Sequence, residues 1–347
     1  MSRTDVLVVG GGPVGLAAAI EARLAGLSAV VVEPRTAPVD KACGEGLMPG
    51  ALAAVQRLGV DPPGHVLAGI SYRDGRRVAD HRFGGGILGR GVRRTTLHAA
   101  LHERAVALGV GFVDARVDTV TQAVDAVEAA GVRARWMLAC DGLHSTVRRI
   151  TGLETARPGR AGRASSGTQR FGLRQHYRVE AWTDLVEVHW AARVEAYVTP
   201  VADDVVGVAL LGPRGTDYAT GLASVPELAA RLAAAEPLGG VRGAGPLRQD
   251  ARRRTAGRVR LVGDASGYVD ALTGEGLRVG LAQAAAAVRH LDDPEAYERA
   301  WARVTRDYRV LTQGLVAAAT SPARRAIVPL ATHAPALYGA VVDRLAR

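Results

Sequence analysis

Aromatic side chains are scarce, at 4% of the 347 residues. Proteins that track single-stranded nucleic acid stack bases on aromatics along a continuous basic face. Here the net charge of +10 is carried by scattered arginines, in short runs such as Arg93-Arg94, Arg148-Arg149 and Arg252-Arg253-Arg254. Lys41 is the only lysine. Nucleic acid is therefore not an expected partner. Cysteine is nearly absent: Cys43 and Cys140 are the two, and no Cys-x-x-Cys occurs. That excludes a disulfide framework and fits a reducing cytoplasm. No run of about 18 apolar residues is present, so no membrane span is expected. Arg3 and Asp5 precede only a short apolar run, which does not read as a signal peptide.

What is present is a chain with 48% hydrophobic residues, long enough for two packed regions. Residues 5–10, Asp-Val-Leu-Val-Val-Gly, read as a buried strand closed by glycine. Residues 13–25 read as a helix ending at Gly26, and residues 28–33 as a second buried strand. Strand, helix and strand within about 30 residues make a parallel βαβ unit whose sheet is covered on both faces. Further along, residues 66–92 suggest a strand and hairpin turn, 94–108 a helix and 110–138 short strands. Residues 150–170 read as a loop, and 171–211 as three strands, the last two flanking a turn at Ala202-Asp203-Asp204. A short strand at 258–262 leads to a mostly helical remainder from 276.

Gly10-x-Gly12-x-x-Gly15, followed by Glu33, carries the most chemistry. Gly10 permits a tight turn out of the strand. Gly12 lets the backbone approach a pyrophosphate, and Gly15 lets the helix pack closely on the strand. The helix N-terminus then offers free N–H groups to phosphate. Glu33 ends the second strand, where a carboxylate accepts hydrogen bonds from ribose hydroxyls. Gly84-x-Gly86-x-x-Gly89 matches the same pattern, but no apolar strand precedes it and no helix follows, so it reads as a loop.

Two more motifs choose between dinucleotides. One is Cys140-Asp141-Gly142-Leu143-His144-Ser145-x-x-Arg148; the other is Val262-Gly263-Asp264-Ala265-Ser266-Gly267, followed by Gly274-Glu275-Gly276. With the first motif they resemble the flavoprotein superfamily of p-hydroxybenzoate-hydroxylase-like monooxygenases and geranylgeranyl reductases, over most of residues 4–290. The resemblance implies an α/β fold (α+β overall): a Rossmann-like three-layer FAD-binding domain, an inserted β-sheet substrate domain and C-terminal helices. It implies boundaries at 1–65, 93–160 and 255–290 for the FAD domain, 66–92 and 161–254 for the substrate domain, and 291–347 for the helical segment.

It also implies roles. Gly10, Gly12, Pro13, Val14 and Gly15 would form the phosphate turn, with Glu33, Pro34 and Arg35 at the adenine-ribose end. Val117 would meet the adenine, and Arg94 the cofactor. Asp141 with Gly142 would help place FAD, and Asp264 would hold the ribityl chain. Gly274, Gly276 and Leu277 would open a helix toward the flavin pyrimidine, stabilising the negative charge of the reduced ring. Cys43 and Gly44, within Lys41-Ala42-Cys43-Gly44-Glu45-Gly46-Leu47, resemble the Cys-Gly segment of the reductases, with Cys43 close to the flavin. Two features depart from the hydroxylases: Ser266-Gly267 and Ala271-Leu272-Thr273 replace their usual histidine and proline.

The implied function is a monooxygenase using FAD, with NADPH or NADH as transient co-substrate, and O2 to oxygenate a small molecule of secondary metabolism. The alternative is reduction of an alkene in a prenyl or polyketide substrate. His98 and His102 share a helical face without a third ligand, so no metal is expected. Leu185, Glu187 and His189 alternate with Val186, Val188 and Trp190, and either face could meet substrate; His176 and Tyr197 are further candidates. Residues 321–347 mix arginines with apolar residues, a pattern compatible with peripheral membrane contact, but Pro322, Pro329 and Pro335 favour packing on the body. Monomer and homodimer are both compatible.

Overall fold

The computed structural model describes residues 2–155 and 169–346. The expected loop at 150–170 thus lies largely outside the described residues; helix Thr146–Ile150 runs into its start.

The first sheet is built around Ser2–Val9, which pairs in parallel with Ala29–Val32 on one side and Val132–Ala139 on the other. Gly111–Val113 and Val259–Leu261 extend it in parallel at either end. The unbroken apolar run of the first strand follows from burial on both faces. Val6 and Val8 enter one core with Leu16, Ile20 and Leu101; Leu7 and Val9 enter another with Met137, Val127 and Val147. Each fully buried aliphatic side chain contributes about 2 kcal/mol. Helices Pro13–Leu24, Arg94–Ala107 and Gly276–Arg289 supply the first of these cores. This is the expected three-layer arrangement.

The second sheet has seven strands, in the order Glu236–Ala244, Arg170–Arg178, Val205–Pro213, Glu195–Ala202, Leu185–Trp190, Gly69–Arg73 and Val78–Arg82. Four strands lie between 170 and 213 where three were expected. Arg174-Gln175-His176 hides the alternation of the first, because its buried positions are filled by hydrogen-bonded polar groups. The strand Glu236–Ala244 was not expected either: it is a largely exposed edge rich in glycine. Helices Tyr218–Ala223 and Pro226–Leu232, also unread in the sequence, cover the outer face over Val198, Val208 and Leu210.

The tail packs on the body. Proline starts helices Pro294–Ala319 and Pro335–Ala346, where its missing N–H costs nothing. Asp343 accepts from Gly84 N at 3.0 Å and pairs with His81, tying the last helix to the second sheet. Among the described residues no helix is long and apolar enough to cross a membrane. Gly84–Gly86 forms a short 3-10 turn and Gly89–Gly91 a strand, so the second glycine pattern is not a phosphate turn.

Candidate cofactor and active site

A cavity of about 660 Å³ runs from the end of the first sheet to the inner face of the second. Its entrance turn follows the strand Ser2–Val9. Gly10 adopts φ +99°, and a Cβ at Gly15 would lie 1.8 Å from the Gly10 carbonyl oxygen. The helix Pro13–Leu24 begins with no side-chain cap, so its first N–H groups are free for an anion. Gly10, Gly12, Pro13 and Val14 line the cavity, whereas Gly15 lies behind it, in the helix-strand contact.

At this end stand Glu33, Pro34, Arg35 and Val117. Glu33 is already engaged: Gly11 N donates to it at 2.8 Å and Arg35 Nε at 2.7 Å. Burial pushes its carboxyl up, but Arg35 and the Gly11 N–H outweigh this and hold it below the usual range. It therefore stays anionic; Arg35 N and Nη2 also donate to it, each at 3.1 Å, so each oxygen already accepts two bonds and a ligand hydroxyl would take the place of one from Arg35. His98, weighed in the sequence only as a metal ligand, instead donates from Nε2 to the Gly11 carbonyl at 2.9 Å. Burial pushes its pKa down, keeping the ring neutral. It props the Gly10–Gly15 turn from behind, and no sequence pattern marks that role. Among the described residues no cluster of His, Cys, Asp or Glu could hold a metal.

Asp264, Arg94, Asp141, Gly142, Cys43 and Gly44 surround the middle of the cavity. The Asp264 carboxylate makes no hydrogen bond or ion pair among the described residues, although its backbone carbonyl accepts from Gly267 N at 3.2 Å. Burial pushes its carboxyl up, partly offset by Lys41, Arg94 and Arg148. Arg94 Nε is likewise buried without a partner. A carboxylate and a guanidinium left unsatisfied against an open cavity are what a polar ligand would complete. Asp141 differs: its carboxylate accepts from Ser145 Oγ at 2.6 Å and Val147 N at 3.0 Å, fixing the start of helix Thr146–Ile150. Its carboxylate is thus engaged within its own loop, which lines the cavity. Arg148, buried, ties that loop to the Asp264 turn through Leu143 O and Ala265 O.

The far end is closed by Gly274, Gly276 and Leu277, at the N-terminus of helix Gly276–Arg289. Beyond it the inner face of the second sheet offers Val186, Tyr197, Thr199, Ala209 and Leu211. Register places these on one face, with Glu187 and His189 on the other. There Glu187 and His189 pair with each other and with Arg73 and Glu227, so they do not line the cavity. His176 also stays out of it, bonded to Glu45. Tyr197 lines it, its hydroxyl donating to Leu272 O at 2.8 Å.

Glu275, just before that helix, is buried with Oε1 unpartnered, and burial pushes its carboxyl up to about 7, against the pull of Arg278. Its folded pKa lies above its unfolded value. Below about pH 4.5 both states are protonated; between there and pH 7 the unfolded chain ionises first, so stability falls as pH rises. The full loss is about 3 kcal/mol. Glu275→Gln should flatten that fall in melting curves recorded against pH and be the more stable protein at pH 8; parallel curves would contradict this.

An elongated cavity with a glycine turn and free helix N-terminus at one end, an unsatisfied acid and base at its middle, and a second helix N-terminus at the other defines a flavoprotein site. The residues fit FAD. Residues 3–75 match the FAD binding domain family. The chain is 31% identical to rifampicin monooxygenase of Streptomyces venezuelae over 179 residues, 47% of this chain and 36% of that one. It is 29% identical to digeranylgeranylglycerophospholipid reductase 1 of Methanopyrus kandleri over 305 residues, covering 80% and 77%. The first of the curated relatives are matched over only 14% to 36% of their length. A flavoprotein/dehydrogenase structure from Cytophaga hutchinsonii shares the fold, with TM-score 0.83 at 17% identity over 99% of this chain and 93% of that one. The chain thus carries an FAD binding domain match over residues 3–75, and beyond it is similar both to FAD-dependent monooxygenases and to a phospholipid reductase.

Proposed function

We propose that this chain is a FAD-dependent monooxygenase that places one oxygen atom from O2 on a small, largely apolar molecule, a secondary metabolite by substrate class. The observation that carries this is the continuity of the cavity: the cofactor-sized channel opens directly onto the apolar inner face of the second sheet. FAD, when bound, would accept a hydride from NADPH or NADH and pass two electrons to oxygen. Its balance is one substrate, one NAD(P)H, one proton and one O2 giving hydroxylated substrate, NAD(P)⁺ and water. In this reading the helix Pro13–Leu24 binds the pyrophosphate, Glu33 the ribose, Asp264 the ribityl chain, and Gly274–Leu277 the ring edge. Val186, Ala209 and Leu211 exclude water beside the ring, and Tyr197 limits the pocket's depth. The nicotinamide binds transiently on the same face. The boundaries stated for the sequence serve as working domains, and the cytoplasm as the working location.

A second reading, alkene reduction on a prenyl or polyketide substrate, is favoured by Cys43 on the cavity wall and by the length of the match to the phospholipid reductase. Deleting the gene in its host and comparing metabolites separates the two. A precursor lacking one oxygen supports oxygenation; one lacking two hydrogens supports reduction.

Cys43 also reports on the site. Cys140 lines the same cavity, but burial pushes its thiol far up, which makes it much the slower of the two to react. Ellman's reagent should therefore titrate one thiol in FAD-free native protein, and saturating FAD should slow that reaction at least about tenfold. An unprotected Cys43 would place it away from the cofactor.

A further inference from the structure

Glu45 is a side chain in a position where glycine would be easier. Its φ is +61°, between Gly44 and Gly46, and a non-glycine residue there costs about 1 kcal/mol. The carboxylate is nevertheless buried, on the loop that lines the ring end of the cavity. It sits on the inner face of the second sheet: a Cβ on Gly207 would lie 3.1 Å from Oε2. Gly207 is in register with Thr199, a cavity residue, and lies two residues before Ala209, another.

The partners of that carboxylate set its protonation. Arg94 N donates to Oε1 at 2.7 Å, and His176 Nε2 meets Oε2 at 2.5 Å. On the other side of the imidazole, Arg174 Nη1 lies 2.9 Å from Nδ1. Arginine only donates, so Nδ1 must accept and the ring proton must be on Nε2, pointing at Glu45. Arg174 is held in turn by Asp40, which is partly exposed and also pairs with Arg242. Lys41 and Cys43 are the other ionisable groups on the same loop. With Nδ1 occupied, the imidazole has nowhere to take a further proton. The oxygens of Glu45 are then the one place in the pair with room for an added proton.

Resting on the FAD reading, we propose that Glu45 is a proton acceptor at the ring end of the cavity, and that His176 positions it. Reduction of bound FAD by two electrons and one proton leaves one negative charge on the ring, and that charge draws a second proton onto the Glu45 carboxylate. The same proton is then at hand for the substrate half of either reaction. Arg174, whose Nη2 also lies 3.9 Å from Glu45 Oε1, fixes the tautomer of His176 and stays charged throughout.

The test needs no substrate. Holoprotein is reduced by dithionite in redox-dye equilibrium over the neutral range of pH, and the slope of midpoint potential against pH counts the protons taken up. Wild type should take up two protons per two electrons, and Glu45→Gln one, with the flavin spectrum and FAD affinity within about twofold of wild type. Equal counts in the two proteins overturn the proposal. If Glu45→Gln does not retain FAD, His176→Asn carries the test. It keeps the carboxylate, so it should still take up two protons, but with the pH window displaced by at least about one unit. An unmoved window overturns the proposal as well. A wild-type protein that binds no FAD would instead remove the cofactor reading on which this rests.

Discussion

Gly15→Ala should yield a protein that retains no FAD and is less stable by about 3 kcal/mol. The added methyl would sit 1.8 Å from Gly10 O and 3.0 Å from its carbonyl carbon. Neither atom can move, because the Gly10 turn is itself pressed on the next strand: a Cβ at Gly10 would meet Cys140 O at 2.6 Å. The helix Pro13–Leu24 must therefore lift off the sheet, carrying its N-terminal N–H groups away from the cavity. Gly314→Ala makes the contrast. Gly314 lies in helix Pro294–Ala319 with nothing within 4 Å of an added Cβ. That change should stabilise by about 0.5–1 kcal/mol. Urea unfolding of both variants, with flavin absorbance, checks the pair; a Gly15→Ala protein as yellow and as stable as wild type would contradict the proposed packing.

That glycine turn was legible in the sequence because its demands are local: a positive φ, a close backbone approach and a capless helix start each need a particular residue at a fixed spacing. The same holds for the strand Ser2–Val9, whose apolar run reports burial on both faces. The second sheet was harder. Arg174, His176 and Glu195 look like surface residues by type, and only their partners from distant segments make them interior. Those partners, Glu45, Asp40, Asp270 and Arg324, lie from 100 to 134 residues away in sequence from the strand that carries Arg170, Arg174 and His176, or on the far tail. The role of His98 was missed for the same reason: its acceptor is a backbone carbonyl 87 residues earlier.

Those buried charges set up the second large effect. Glu195→Ala should cost about 3–5 kcal/mol. Glu195 is fully buried, with Arg170 Nη2 at 2.6 Å from one oxygen and Arg324 on the other. Arg170 also holds Asp270 at 2.9 Å. Burial pushes the Asp270 carboxyl up, and Arg170 pulls against that. Removing Glu195 leaves two guanidinium groups facing each other, with less negative charge to compensate them. The same cluster joins the second sheet, the C-terminal segment Pro322–Ala326 and the loop leading to Gly274, so FAD should also dissociate faster. Denaturant unfolding and flavin release rates measure both. A loss below about 1 kcal/mol would mean the arginines reach water and the cluster is not a buried joint.

The central claim is that the cavity holds FAD through the free carboxylate of Asp264 and the unsatisfied guanidinium of Arg94. The direct measurement is FAD binding to the purified protein by calorimetry, for wild type and Asp264→Ala. The account predicts one FAD per chain, bleached by NADPH or NADH, with affinity weakened at least about tenfold in the variant. A wild-type protein that stays colourless after gentle purification with added FAD, or a variant that binds FAD as tightly as wild type, would contradict it.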